Sequence, residues 1–242
     1  MLLFFRYFLL ACHFVISSLV GLAIIIFRPF HHSNSRILAQ IYSQVGRRII
    51  GLKIEHHNEA ILTHHEPCVV VANHQSNWDL FVVGSIVPKR MVSLGKKSLK
   101  WLPFFGQVYW LGGNILVDRG NRKKAMEAME TTKTALTTKD TSIWFFAEGT
   151  RNHGKNMLPF KKGAFVTAVN AGVPIIPVCT SSYLEGFSLS SASNGTAHIK
   201  VLEPVETKGL TLDDVDQLML DIHLAMMDGI QEMDVLARQS KA

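Results

Sequence analysis

The chain opens on a nearly continuous apolar run, Leu2 to Phe27, interrupted only by Arg6, His13 and the pair Ser17 and Ser18. As a helix this run reaches about 39 Å, enough to cross a hydrocarbon core of about 30 Å with tilt. A cleaved signal would have a shorter apolar region, and no small-x-small site precedes Arg28 and Pro29. Ile37, Ile41, Val45 and Ile49 then recur at helical spacing, with Arg36, Arg47 and Arg48 at the ends. This second helix either lies in an interface or forms a hairpin with the first. Membrane anchoring is expected, and both a spanning and an in-plane first helix fit the pattern.

From residue 51 the pattern changes to short strands alternating with helices. Lys53 to His57 reads as a short strand, and Glu59 to Glu66 as a loop. Cys68 to Ala72 is a Val-rich buried strand, followed by a helix from about Trp78 through Val83 with Ser76 or Asn77 as its cap. Arg90 to Leu94, the centre of Gly112 to Arg119, Ser142 to Ala147, Val173 to Val178 and Thr196 to Val201 supply further strands. Helices are expected over Lys123 to Thr137 and from Phe165 to Ala171. Thr211 and Asp214 form a capping box before a last helix with Val215, Leu218, Met219, Ile222 and Met226 on one side. The alternation predicts an α/β fold: a mixed, mostly parallel sheet flanked by helices, behind an N-terminal hydrophobic anchor. Residues 1–50 form the anchoring segment and 51–242 the α/β domain.

Composition sharpens the picture at three points. The net charge of +6 favours an anionic partner, whether a membrane surface, a phosphorylated substrate or nucleic acid. No nucleic-acid module is recognisable, so none is expected as a partner. Arg28, Arg36, Arg47, Arg48 and Lys53 follow the apolar run and put the remainder on the cytoplasmic side of a membrane. Cys12, Cys68 and Cys179 are far apart within apolar runs, as befits free thiols in a reducing compartment.

Candidate chemistry gathers where strands end. His74 follows the Cys68 to Ala72 strand and Asp79 lies in the next turn, so their side chains can converge and make the imidazole a held general base. His223 and Asp228 share the spacing but lie in a continuous helical pattern, about 140° apart around the axis. Arg119 and the run Glu148, Gly149, Thr150, Arg151 also follow strands. With Lys96, which precedes an aromatic cluster, these arginines suit a phosphate-bearing amphiphile. Glu148 either orients an arginine or holds the turn, and Gly149 admits close backbone approach. His56, His57, His64 and His65 lie among Glu55, Glu59 and Glu66, but adjacent histidines on a strand face opposite ways, so no metal is assigned.

Four blocks occur in order: Asn73-His74-x4-Asp79, Gly113-x-Ile115-x3-Arg119, Phe146-Ala147-Glu148-Gly149-Thr150-Arg151 and Val173-Pro174-Ile175-Ile176-Pro177. Together they resemble the blocks of the glycerolipid acyltransferase family, over nearly the whole chain. Ala147 departs from the family pattern, which usually has proline before Glu-Gly-Thr-Arg. The resemblance implies transfer of a fatty acyl group from acyl-CoA or acyl carrier protein to the sn-2 hydroxyl of lysophosphatidate. It implies His74 as base with Asp79 as its orienter, and Lys96, Arg119 and Arg151 on the acceptor phosphate with Glu148, Gly149 and Thr150 shaping that pocket. No cofactor beyond the acyl donor is implied, and the expected location is the inner (cytoplasmic) membrane with the catalytic domain facing the cytoplasm. Backbone N–H groups near the start of the His74 helix are candidate oxyanion donors. A sister enzyme acting on glycerol-3-phosphate or another lysolipid is the alternative. A non-catalytic anchored binder of anionic lipid or nucleic acid would bind in a salt-sensitive way without turnover, and gives no reason for the His74–Asp79 pair.

Overall fold

A computed structural model describes residues 1–63, 67–118, 120 and 122–240. Among the described residues, seven α-helices and seven strands follow in the order α1 (Leu2–Ile25), α2 (Asn34–Ile49), β1 (Lys53–His57), β2 (Val69–Ala72), α3 (Asp79–Val82), β3 (Met91–Lys96), α4 (Phe105–Leu111), β4 (Ile115–Val117), α5 (Arg122–Thr138), β5 (Ser142–Phe146), α6 (Gly163–Ala171), β6 (Ile175–Thr180), β7 (Thr196–Val201) and α7 (Val215–Gln239). They form one seven-stranded sheet of order β1-β7-β6-β2-β5-β3-β4. From β6 to β4 the strands run parallel; β7 is antiparallel to β6, and β1 is parallel to β7. The expected mixed, mostly parallel sheet is what forms.

Strand alternation divides the apolar side chains between two cores. Val70, Ala72, Trp144, Ile176 and Val178 pack on one face with Leu10, Tyr42 and Phe81 from α1, α2 and α3. Val69, Val71, Ile143, Phe145 and Ile175 pack on the other with Leu136, Phe165 and Ile222 from α5, α6 and α7. The central strand β2 is therefore buried on both faces, which accounts for its unbroken run of apolar residues. The N-terminal hairpin contributes to the first core. The capping box at Thr211 and Asp214 forms as expected ahead of α7, which buries Val215, Leu218, Ile222 and Met226.

Two elements differ in their boundaries from the sequence pattern. β3 runs on to Lys96, so this lysine closes a strand. β6 runs Ile175–Thr180, two residues further along than the expected Val173 to Val178, and holds Pro177 in the gap between the Ile175–Val205 bridge and the Val178–Val201 pairing. The Pro177 carbonyl accepts from Leu202 N–H at 2.9 Å. A missing N–H is tolerated where pairing passes from one neighbour to another.

α1 turns its polar residues toward the protein, beside Leu10, Gly21 and Ile25, and is apolar outside. Arg6, His13, Ser17 and Ser18 are buried, whereas Phe4, Phe5, Phe8, Ile16 and Leu19 are exposed. The Arg6 guanidinium donates to the carbonyls of Leu189, Ser191 and Ala192. His13 Nε2 bonds the Tyr42 carbonyl at 2.9 Å, and Ser18 Oγ lies 2.7 Å from the Tyr42 hydroxyl. The polar breaks in the apolar run are thus the residues that attach α1 to the body.

Candidate active site

Parallel pairing sets the ends of four strands level. Ala72 pairs with Phe146, Ser93 with Trp144, and Lys96 with Val117. The residues that follow, His74 after β2, Glu148 after β5 and Asp118 after β4, therefore share the carboxyl edge of the sheet with Lys96, the usual ligand edge of such sheets. Arg119 lies outside the described residues.

His74 Nδ1 lies 2.5 Å from Asp79 Oδ2. The same oxygen accepts the backbone N–H groups of Gln75 at 2.7 Å and Ser76 at 3.1 Å. Asp79 is the first residue of the single-turn α3, and Ser76 Oγ accepts the Trp78 N–H at 2.9 Å. The expected helix is thus one tight turn folded round the carboxylate, extended by a 3-10 turn at Val83–Ser85. A carboxylate only accepts, so Nδ1 carries the hydrogen and Nε2 its lone pair. Nε2 has no protein partner among the described residues, and the His74 side chain is 18% exposed against 4% for Asp79. The ring stacks on Phe146, with centroids 4.0 Å apart.

The second Asp79 oxygen shows a partner that local spacing did not reveal. Tyr183 donates its hydroxyl to Oδ1 at 2.5 Å and sits 2.8 Å from Ser76 Oγ. Burial, together with the Asp79 charge, holds this phenol well above its ordinary range, so it remains a donor. Asn73 fixes the same corner through a two-way amide bond: its Nδ2 donates to the Thr180 carbonyl at 2.9 Å and its Oδ1 accepts the Thr180 N–H at 2.8 Å.

Glu148 is 1% exposed. Its Oε1 accepts the His74 N–H at 2.6 Å, and its Oε2 the Leu158 N–H at 2.8 Å. Of the two readings made for it, holding the turn is the one the geometry supports; both oxygens are turned inward to backbone donors. Burial raises its carboxyl above the usual range, opposed by those N–H bonds and by Asn152. The chain beyond β5 also follows the chain beyond β2: Asn152 N–H donates to the His74 carbonyl at 2.9 Å and His153 N–H to the Gln75 carbonyl at 3.0 Å. Arg151 is thereby held beside His74. Gly149 adopts φ +71°, and a Cβ there would meet Lys161 Cγ at 3.1 Å. Lys161 is a further cation at this edge that the candidate set had left out.

The remaining cations divide by partner. Lys97 is 3.6 Å from Asp118, Lys162 is 2.6 Å from Asp216, and Lys100 stands 3.7 Å over the Trp110 ring. Lys96 and Arg151 are exposed and have no ion-pair partner among the described residues; Thr150 is exposed beside Arg151. The N–H groups of His74, Gln75, Ser76 and Trp78 are committed to Glu148, Asp79, Asp79 and Ser76 Oγ. They stabilise the loop and are not free for a transition state.

A base with an open nitrogen, at a sheet edge that also carries exposed cations, suits proton removal from a phosphorylated alcohol. The family described as Acyltransferase matches residues 53–181. The 1-acyl-sn-glycerol-3-phosphate acyltransferase of Haemophilus influenzae is 38% identical, covering 97% of both chains. That of Escherichia coli is 35% identical over 97% of this chain and 95% of its own. The mouse alpha enzyme of the same name is 39% identical over 78% of this chain and 67% of its own. The crystal structure of the 1-acyl-sn-glycerophosphate acyltransferase from Thermotoga maritima shares the fold, with a TM-score of 0.73 at 22% identity over 96% of this chain and 94% of that one. With family match, near full-length relatives and fold in agreement, the chain belongs to the glycerolipid acyltransferase family and is an acyltransferase.

Proposed function

We propose that the enzyme transfers a fatty acyl group from acyl-CoA or acyl carrier protein to the sn-2 hydroxyl of 1-acyl-glycerol-3-phosphate, giving phosphatidate. The relatives' names supply the acceptor, and the open Nε2 of His74 beside Arg151 is the observation that carries the chemistry. His74 Nε2 takes the hydroxyl proton as the oxygen attacks the thioester carbonyl. The tetrahedral adduct collapses, the carbon–sulfur bond breaks, and the leaving thiolate takes the proton from the imidazolium. Asp79 stabilises that cation and keeps Nε2 turned outward. A thioester is already activated, so no enzyme nucleophile is called for, and the chain has no Gly-x-Ser-x-Gly segment. Lys96, Arg119 and Arg151 take the acceptor phosphate, joined by Lys161.

The inverted polarity of α1 supports an in-plane membrane attachment over a spanning one. Its apolar side is continuous in character with exposed Phe30, Trp101, Leu102 and Phe104, and its polar side is occupied by the protein itself. A lipid acceptor then reaches His74 from the membrane surface, with the domain on the cytoplasmic side.

The deciding experiment offers purified enzyme one acyl-CoA and a panel of acceptors, and measures thiol release. Lysophosphatidate is expected to be the preferred acceptor, with His74→Ala slower by about 10²–10⁴-fold. Preference for glycerol-3-phosphate or an uncharged lysolipid would overturn the acceptor assignment, and near-normal turnover by His74→Ala the mechanism.

A further inference from the structure

Among the described residues outside the active site, a cluster of ligand-type side chains has no part in the chemistry above. Glu55 and His57 share a face of β1, and His198 lies opposite Glu55 on the neighbouring β7. A carboxylate oxygen of Glu55 and one ring nitrogen from each histidine all lie within 4.8 Å of one another. His57 Nε2 is 3.0 Å from His198 Nδ1, and Glu55 Oε2 is 3.6 Å from that same nitrogen. Tetrahedral zinc with bonds of about 2.0–2.1 Å holds its ligand atoms about 3.3 Å apart, between these two values.

The surroundings set the tautomer. Ser240 Oγ donates to the Leu236 carbonyl at 3.0 Å, so toward His198 Nε2, 3.4 Å away, it acts as acceptor. His198 therefore carries its hydrogen on Nε2 and turns an Nδ1 lone pair toward His57 and Glu55. An outward ring N–H held by a hydroxyl is the second-sphere arrangement that orients metal-binding histidines. Without an ion that lone pair accepts from His57 Nε2–H at 3.0 Å, while the carboxylate 3.6 Å away adds a negative charge that a bound cation would balance. Lys200, the cation opposite His57, is already engaged by Glu232 at 2.5 Å.

We propose that Glu55, His57 and His198 bind one divalent transition-metal ion of the zinc class. Two imidazoles and one carboxylate suit such an ion better than calcium or magnesium, which take oxygen ligands. The Glu55 side chain is 59% exposed and His198 3%, so solvent completes the fourth position on the Glu55 side. The bound ion ties the edge strand β1 to β7 and, through Ser240, to the end of α7. It lies on the α7 face of the sheet, whereas His74 lies on the α1–α2 face. The histidine-rich segment alone did not show this, because the second imidazole comes from 141 positions away.

The test titrates Zn²⁺ into the full chain, purified in detergent without a histidine tag and stripped with a chelator, against a chromophoric competitor. One equivalent per chain is expected to bind at least tenfold more tightly than any remaining histidine-dependent binding. Glu55→Gln and His57→Gln should each weaken that equivalent at least tenfold. His56→Gln should leave it intact, because the His56 ring faces the other way and bonds Ser85 Oγ at 2.8 Å. Acyl transfer by metal-free His57→Gln is expected at the wild-type rate, which also shows that this variant folds. X-ray absorption of the one-to-one complex should give two imidazole nitrogens at about 2.0–2.1 Å. The absence of a tight equivalent, unchanged binding in His57→Gln, or fewer than two imidazoles overturns the proposal.

Discussion

Tyr183 and Asp79 stand 104 positions apart and share a hydrogen bond of 2.5 Å. Through it a tyrosine just beyond β6 fixes the carboxylate that holds the His74 ring. Four donors meet Asp79: one imidazole, two backbone amides and this phenol. A bond from the phenol to a charged acceptor contributes about 1.5–3 kcal/mol. Tyr183→Phe is accordingly expected to lower kcat by about 10-fold while leaving KM for the acceptor near its wild-type value. Steady-state kinetics with lysophosphatidate and a fixed acyl-CoA would check this; a loss confined to KM would show that the tyrosine serves binding.

Arg151 and Lys96 are exposed and unpaired among the described residues, so removing either has little structural cost. For Arg151→Ala and Lys96→Ala the apparent KM for the phosphorylated acceptor should rise about 10-fold or more, with KM for the acyl donor changed far less and Tm within about a degree of wild type. Equal effects on the two substrates would remove these cations from the phosphate site.

Glu148 gives the opposite pattern. Both its oxygens accept backbone N–H groups, from His74 and Leu158. In Glu148→Gln an NH₂ group must face one of those donors, leaving a buried amide unsatisfied at a cost of about 1–3 kcal/mol. Unfolding measurements should show that loss together with a fall in kcat, because the His74 backbone loses its tether. A variant of wild-type stability with only a weaker acceptor affinity would instead point to direct contact between Glu148 and substrate.

Cys179 supplies a pH signature remote from the chemistry. Its thiol is fully buried against α7 and is pushed by burial from an ordinary 9.0 up to about 12. The folded-state value is the higher one, so the stability linked to this group is complete below pH 9 and is lost as pH rises from 9 toward about 12. The slope is up to about 1.4 kcal/mol per pH unit. Denaturant unfolding at pH 8, 9 and 10 should show Cys179→Ala losing less with pH than wild type, even though it starts lower. Parallel curves for the two proteins would contradict the assignment.

Much of this architecture was legible in the chain because it is written in short-range periodicity. The Val-rich run before Asn73, the capping box at Thr211 and Asp214, and the apolar stripe of α7 each depend on neighbours a few residues away. The His74–Asp79 pair was legible for the same reason: a strand that stops and a turn that follows bring five-residue neighbours together. Boundaries were less secure where two tendencies compete. Glycine and lysine obscured the last two residues of β3, and only the sheet order reveals the break in pairing that accommodates Pro177 inside β6.

Long-range neighbours were decided by the tertiary fold alone. Whether Glu148 oriented an arginine or held the backbone of His74 turned on β5 lying next to β2, 74 positions away in the chain. Tyr183 and Lys161 reach the site only through the parallel order of β6, β2 and β5, and His198 meets His57 only because β7 turns back beside β1. The sequence by itself determined that an apolar helix precedes an α/β domain and that an imidazole and a carboxylate meet at a strand's end. The tertiary structure decided that the polar residues of α1 face inward and which cations remain unpaired among the described residues. The physical reason is that side-chain periodicity is set by bonds along the chain, whereas burial and partnership are set by which strands and helices come to lie side by side.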